Sequence, residues 1–231
     1  MTSYRIRATT LALALVAVLA SACGGGDDAP EWTPPQTEQQ THALIQRVQL
    51  EPEDWGEKFK PSEDFYEHEL TPWGKLDEEC SWQDMRDEAP EQTGLQRLSG
   101  TATLDAFSQV LVHKEQATAE QWYAMSEGRS GECGTQDYGS VVFTEVRMRP
   151  LTLDGVDEGY AESGLFAADE GEEGSTLPKS PRRFATAMAR KGPVIISVQL
   201  EGKRGRYTPE ELNQHVDAAM ATMIDRLIEQ P

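Results

Sequence analysis

The strongest constraint on this chain lies near its end, where Arg182–Lys191 and Pro193–Glu201 read as two strands joined through Lys191-Gly192-Pro193. Val194-Ile195-Ile196-Ser197-Val198 is rich in β-branched residues, which pack well on a pleated surface. Shortly after, Thr208-Pro209-Glu210-Glu211 supplies an N-cap, a proline at the first helical position and acidic residues in the first turn. Leu212, Val216, Ala219, Met220, Met223 and Leu227 then keep helical spacing for about five turns. A hairpin that feeds an amphipathic helix calls for a sheet with a helix laid on it.

Weaker signals extend the same pattern upstream. A helix is predicted over Thr41–Leu50, with Leu44, Ile45 and Val48 as its apolar stripe and Pro52 beyond its end. Residues 51–75 read as irregular, with Trp55, Phe59, Phe65, Tyr66 and Trp73 folding back onto a core. Thr101–His113 reads as a strand. Thr118–Gly128 reads as a helix, with Thr118 as N-cap, Gln121 completing a capping box, and Trp122 and Met125 turned to a core. Val141–Met148 and Gly159–Ala167 are further strands. The expected class is α+β, a single domain with a mainly antiparallel β-sheet, helices packed on one face and one disulfide.

The other end of the chain carries an address. Arg5 and Arg7 precede an apolar run, Ala8–Ala20, which has the length of a signal-peptide h-region and is too short to span a bilayer core. Ala20-Ser21-Ala22 then precedes Cys23. Ala-x-Ala suits ordinary signal peptidase, which would release a soluble protein. The same residues resemble a lipobox, in which the cysteine is acylated, although Leu19 stands four residues before Cys23 where that pattern prefers three.

Cysteine arithmetic favours the lipid. The chain has three cysteines, Cys23, Cys80 and Cys133, and an odd exposed thiol is a liability in an oxidising compartment. If Cys23 carries a fatty-acyl (palmitate) lipid, Cys80 and Cys133 form the one disulfide. That bridge encloses more than fifty residues and is worth about 4 kcal/mol in the chain-entropy model. The expected organisation is a signal peptide over residues 1–22, a lipidated flexible stalk over 23–40 rich in Gly, Pro and polar residues, and an extracytoplasmic domain over 41–231.

Removal of Arg5 and Arg7 with the leader takes the formal net charge from −19 to −21. So acidic a chain is a poor partner for nucleic acid, which is bound through Lys and Arg. The bland reading of the charge is a solvated surface that keeps an exported protein soluble.

The leader, the helix ahead of the Trp55 loop, Cys80 before Trp82, the Trp122 helix running into Cys133-Gly134, the Arg182–Leu200 segment and the helix ending in Arg226-Leu227 form a recurring order. Over residues 41–230 it resembles the actinobacterial lipoproteins and receptor-kinase sensor domains of the extracellular mycobacterial protein-kinase-H type. The resemblance implies an α+β domain with a cleft for an undefined extracellular ligand, and no enzymatic activity. The chain departs from the kinase sensors in having one cysteine pair rather than two disulfides. It has no kinase domain, so any signalling would need a partner.

Motif chemistry is sparse. His42, His68, His113 and His215 lack ligand spacing, so neither a catalytic residue set nor a metal site is assigned, and no cofactor is expected. Gly-x-Ser-x-Gly, Ser-x-x-Lys, Walker A and Gly-x-Gly-x-x-Gly patterns are absent. Asp154–Gly159 and Asp169–Gly174 pair carboxylates with glycine without EF-hand spacing, and read as solvated loops before they read as Ca²⁺ sites. Lys179, Arg182 and Arg183, with Lys203, Arg204 and Arg206, flank the hairpin; they read as charges that protect an edge strand before they read as two groups that meet at one end of the sheet to bind an anionic polymer or a partner.

Three functions remain. The favoured one is a lipid-anchored, non-enzymatic ligand-binding or sensor domain at the membrane surface, marked by a sizeable, largely apolar cleft. An envelope-acting hydrolase would instead show paired carboxylates with shifted pKa values in a pocket. An accessory protein that docks an envelope partner would show an exposed apolar patch.

Overall fold

A computed structural model describes residues 32–63, 66–70, 74–85, 90–168, 181–203 and 205–229. The chain runs α1 (Glu38–Val48), α2 (Pro52–Trp55), β1 (Lys60–Pro61), β2 (Glu67–Glu69), β3 (Gly74–Leu76), β4 (Trp82–Asp84), β5 (Gln92–Gly100) and β6 (Leu104–His113). There follow α3 (Gln116–Glu132), β7 (Thr135–Asp137), β8 (Val141–Pro150), β9 (Glu158–Ala168), β10 (Arg182–Lys191), β11 (Val194–Lys203) and α4 (Pro209–Ile228). Among the described residues, nine strands make one antiparallel sheet in the order β1-β5-β6-β11-β10-β9-β8-β7, with β2 also on β5; β3 and β4 form a separate hairpin. The α+β class, the mainly antiparallel sheet and the single Cys80–Cys133 disulfide expected from the sequence are all present.

The terminal hairpin and helix form as read. Lys191 pairs with Val194, so the turn is Gly192-Pro193, and Gly192 sits at φ +54, where a side chain would be strained. Thr208 caps α4, accepting from the Glu211 amide while the Glu211 carboxylate accepts from the Thr208 amide. On β11, Val194, Ile196, Val198 and Leu200 are at most 1% exposed and face α4, whose Leu212, Val216, Met220, Met223 and Leu227 are fully buried.

α1 joins α4 on that face. Its N-cap is Thr37, in a capping box with Gln40, so the helix starts inside the stretch read as stalk. Its end is locked to α4 by reciprocal bonds: Arg47 donates to the Arg226 carbonyl, and Arg226 donates to the Gln49 carbonyl and to Asp54. Gln49 is itself buried, donating to the Leu95 carbonyl and accepting from Ser108 Oγ.

Three details differ from the sequence reading. β5 has no counterpart in the sequence reading, since Gly94, Gln96, Arg97 and Ser99 break any apolar alternation. Arg97 is nevertheless buried, because Glu51, Glu67 and Gln46, far away in sequence, accept its hydrogen bonds. Thr118 is not the N-cap of α3. The helix begins two residues earlier, Glu115 is the extended cap residue, and Thr118 already donates to the Glu115 carbonyl in the first turn. Lastly, α3 does not join α1 and α4. It packs on the opposite face, where Ala119 and Tyr123 cluster with Leu111, Tyr160 and Ile195.

Trp55 and Phe59 fold onto the core as expected, while Phe65 and Trp73 lie outside the described residues. So do residues 1–31, which hold the stretch expected to be a leader and Cys23. Among the described residues, no helix is long and apolar enough to cross a membrane.

Candidate functional site

The two faces of the sheet are unequally covered. α1 and α4 seal one face. On the other, α3 covers one part and the β3–β4 hairpin lies over another, and between roof and floor remains a cavity of about 540 Å³. That is the size of an ordinary small-molecule site.

The roof is held as a unit. Cys80, in the turn of the β3–β4 hairpin, is bonded to Cys133 at the end of α3. Asp77 organises the same turn, its carboxylate accepting from the amides of Glu79 and Ser81 and from the Gln83 side chain. These bonds hold its carboxyl below the usual range. Gly74 is required there, since a Cβ would come within 2.3 Å of the Trp82 ring. Trp82 stacks on Tyr138 at 5.2 Å between centroids, Tyr138 meets Phe143 edge-on at 5.4 Å, and Phe143 meets Phe184 at 4.7 Å. This aromatic ladder climbs from the floor to the roof along one wall. Trp122 and Met125 of α3, with Leu111 and Ile195 below them, close the other.

The floor is polar where the register lines up alternate residues. Gln96, Gln109, Ser197, Met188 and Tyr160 form one row across β5, β6, β11, β10 and β9; Phe107, Gln199, Thr186 and Glu162 form the next. Ser197 Oγ donates to Gln109 at 3.2 Å, and Thr186 Oγ1 to Gln199 at 3.2 Å. In sequence, Ser197, Gln199 and Glu201 look like the solvated side of a half-buried strand. Only the roof makes them the floor of a cavity, so alternation alone offered no signal.

Two carboxyls face this cavity. Glu201 is 8% exposed and accepts from Gln199 Nε2 at 2.6 Å. Burial, with Asp105 adding to it against Gln199 and Arg182, pushes its pKa up to about 7. Glu162 is equally buried; burial raises its pKa, opposed by hydrogen bonds from Ser130 and Gln136. Burial likewise lifts the Tyr138 and Tyr160 phenols well above their ordinary value. Neither carboxyl was singled out in the sequence, where forty acidic residues hide any pair.

The residues that were singled out fare differently. Cys80 and Cys133 form the bridge. Cys23 lies outside the described residues. The histidines are dispersed: His113 is buried at a strand end, where desolvation lowers its pKa to about 4, and His42 and His215 are exposed. Asp157 and Glu158 bind Arg190, which is itself 6% exposed, and Asp157 also accepts from the Gly192 amide. These carboxylates therefore serve the hairpin turn. Asp169–Gly174 lies outside the described residues. Among those described, no group of three or more His, Cys, Asp or Glu could hold a metal ion. Of the basic residues that flank the hairpin, Lys179 and Arg204 lie outside the described residues; Arg182 and Lys203 are register partners across it, and the Arg182 charge is taken up by Asp105.

No protein-family model matches the chain, and no curated protein does. Among solved structures, the crystal structure of the extracellular domain of PknH from Mycobacterium tuberculosis is similar at 15% identity, over 84% of this chain and 97% of that one, with a TM-score of 0.42. That is a coarse likeness of fold, and no residue role is transferred from it.

Proposed function

We propose that this is a non-enzymatic ligand-binding or sensor domain that takes an apolar-bodied small molecule into the cleft beneath the disulfide-tied roof. The observation that carries it is the cavity of about 540 Å³, walled by aromatic and aliphatic side chains with a few aligned polar groups on its floor. Such a composition binds by burying apolar surface and orients by a small number of hydrogen bonds. The disulfide supports an oxidising, extracytoplasmic setting. Acylation of Cys23 would then hold the domain at the membrane surface, and any signal would pass through a partner.

The hydrolase reading has one observation in its favour, the two buried carboxyls with raised pKa values. Their placement weighs against it. Glu162 on β9 and Glu201 on β11 are separated by β10 and offset by two residues, roughly 12 Å between Cα atoms at ordinary strand spacing. Each is bonded to its own amide, Gln136 or Gln199.

The test is equilibrium titration with N-phenyl-1-naphthylamine, a neutral apolar fluorophore, against the native domain and Thr186→Trp, which fills the floor. Saturable binding at one site, weakened at least tenfold in the filled variant, is expected. Absence of saturable binding, or equal binding in both proteins, would overturn the reading.

A further inference from the structure

Glu162 and Glu201 are an expensive pair of residues to place where they are. Each is 8% exposed, and among the described residues neither makes an ion pair within 4 Å. Glu201 accepts one hydrogen bond, from Gln199 on Oε1. Gln136 reaches Glu162 Oε1 at 3.3 Å, and Ser130 provides a further bond. Arg182, whose charge reaches Glu201, is committed to Asp105, Arg129 at the roof pairs with Glu132 at 2.9 Å, and Lys75 at the cavity's edge is exposed to water. A buried carboxylate without a counter-charge destabilises a fold, and an apolar residue on the same strand would remove the cost. Groups kept in so costly a state concentrate at functional sites.

Their surroundings are of a particular kind. The Tyr138, Phe143, Phe166 and Phe184 rings pack on one another and line the same cavity as the two acids. Phe184 is the direct cross-strand neighbour of Glu201. Ring faces attract a cation through their quadrupole, and most strongly where water is excluded. Aromatic faces and unpaired carboxylates together favour one ligand charge.

Building on the ligand-binding reading above, we infer that the cleft selects an organic cation, a positively charged nitrogen on an apolar body, received by Glu162 and Glu201 against the Tyr138–Phe143–Phe184 aromatic wall. The bound cation supplies the counter-charge that the fold lacks. The apolar body lies along Trp122, Met125, Leu111 and Ile195. A neutral ligand would leave both carboxyls unpaired, and an anion would add repulsion.

The experiment is calorimetric titration of the full chain with decyltrimethylammonium, 1-decanol and decyl sulfate, all below their aggregation thresholds. Salt at 0.3 M screens the acidic surface, where the Debye length falls to roughly 6 Å. The cation is expected to bind at least tenfold more tightly than the alcohol, and the sulfate more weakly than both. In Glu162→Gln/Glu201→Gln the cation-to-alcohol ratio should fall towards one. In Glu53→Gln/Glu57→Gln, which removes the same charge from exposed positions away from the cleft, the ratio should stay. Equal or tighter binding of alcohol or sulfate by the native protein overturns the cation inference and leaves the ligand-binding reading standing. Persistence of the ratio in the cleft variant overturns it too. Binding of none of the three probes overturns both. If the cleft variant fails to fold, the ranking of the three probes on the native protein still decides.

Discussion

Cys80 and Cys133, with Cα atoms 5.7 Å apart, tie the β3–β4 turn to the C-terminal end of α3, and these are the two elements that roof the cleft. The bridge thus acts twice, once on the unfolded chain and once on the site. Replacing both cysteines with serine should lower the unfolding free energy by about 4 kcal/mol in the chain-entropy model, read as a lower denaturant midpoint. The roof should loosen as well, so that affinity for the neutral fluorophore falls more than tenfold even where the variant is folded. Unchanged affinity in the folded variant would show that the roof keeps its place without the bridge.

Gln49 is 1% exposed and satisfies two buried groups at once, the Leu95 carbonyl and Ser108 Oγ. Gln49→Ala leaves Ser108 Oγ without its acceptor and takes the side-chain donor from the Leu95 carbonyl, which keeps Val110 as its partner in the β5–β6 ladder; a buried unsatisfied group costs about 1–3 kcal/mol. A loss of about 2 kcal/mol is expected by chemical denaturation. Gln49→Ala/Ser108→Ala should lose less than the sum of the two single variants, because the second change removes an orphan the first created.

Glu201 makes stability depend on pH in an unusual direction. Its folded pKa of about 7 lies above the ordinary 4.5, so between those values the folded state holds the proton that the unfolded state releases. Stability from this group is present below about 4.5 and is lost as pH rises through about 7. The facing charges are Asp105 on β6 and Arg182 on β10. Glu201→Gln should therefore be more stable than the native protein at pH 8, by up to about 3 kcal/mol, and should match it near pH 4.5. Melting curves at the two pH values check this; a variant equally or less stable at pH 8 would contradict the assignment.

Metabolic labelling with a clickable fatty acid tests the address. Label on the native protein and none on Cys23→Ser is expected, with Cys80 and Cys133 remaining bridged in both. Label on neither would return the chain to a secreted protein with a free Cys23.

Much of the sheet was legible because its signals are local. Pro209, Thr208 and the Leu212–Leu227 spacing specify α4, and the β-branched run with Gly192-Pro193 specifies the hairpin. In both, neighbours in sequence supply the caps and turn that the element needs. β5 was illegible for the opposite reason. Its Arg97 is tolerable in the interior only because Glu51, Glu67 and Gln46 arrive from other elements.

The site follows the same division. The sequence by itself determined the class of fold and the terminal helix, since capping and periodicity act over a few residues; it offered the Cys80–Cys133 pair only on condition that Cys23 is acylated, and the structure brings the two together. Only the tertiary structure decided that α3 crosses to the face opposite α4 and leaves a gap there. Ser197, Gln199 and Glu201 alternate as any water-facing strand does. What turns that alternation into a cleft floor is the packing of Trp82, Trp122 and the Cys80–Cys133 bridge above it. These are contacts between segments tens of residues apart, fixed by the burial of apolar surface that no local pattern encodes.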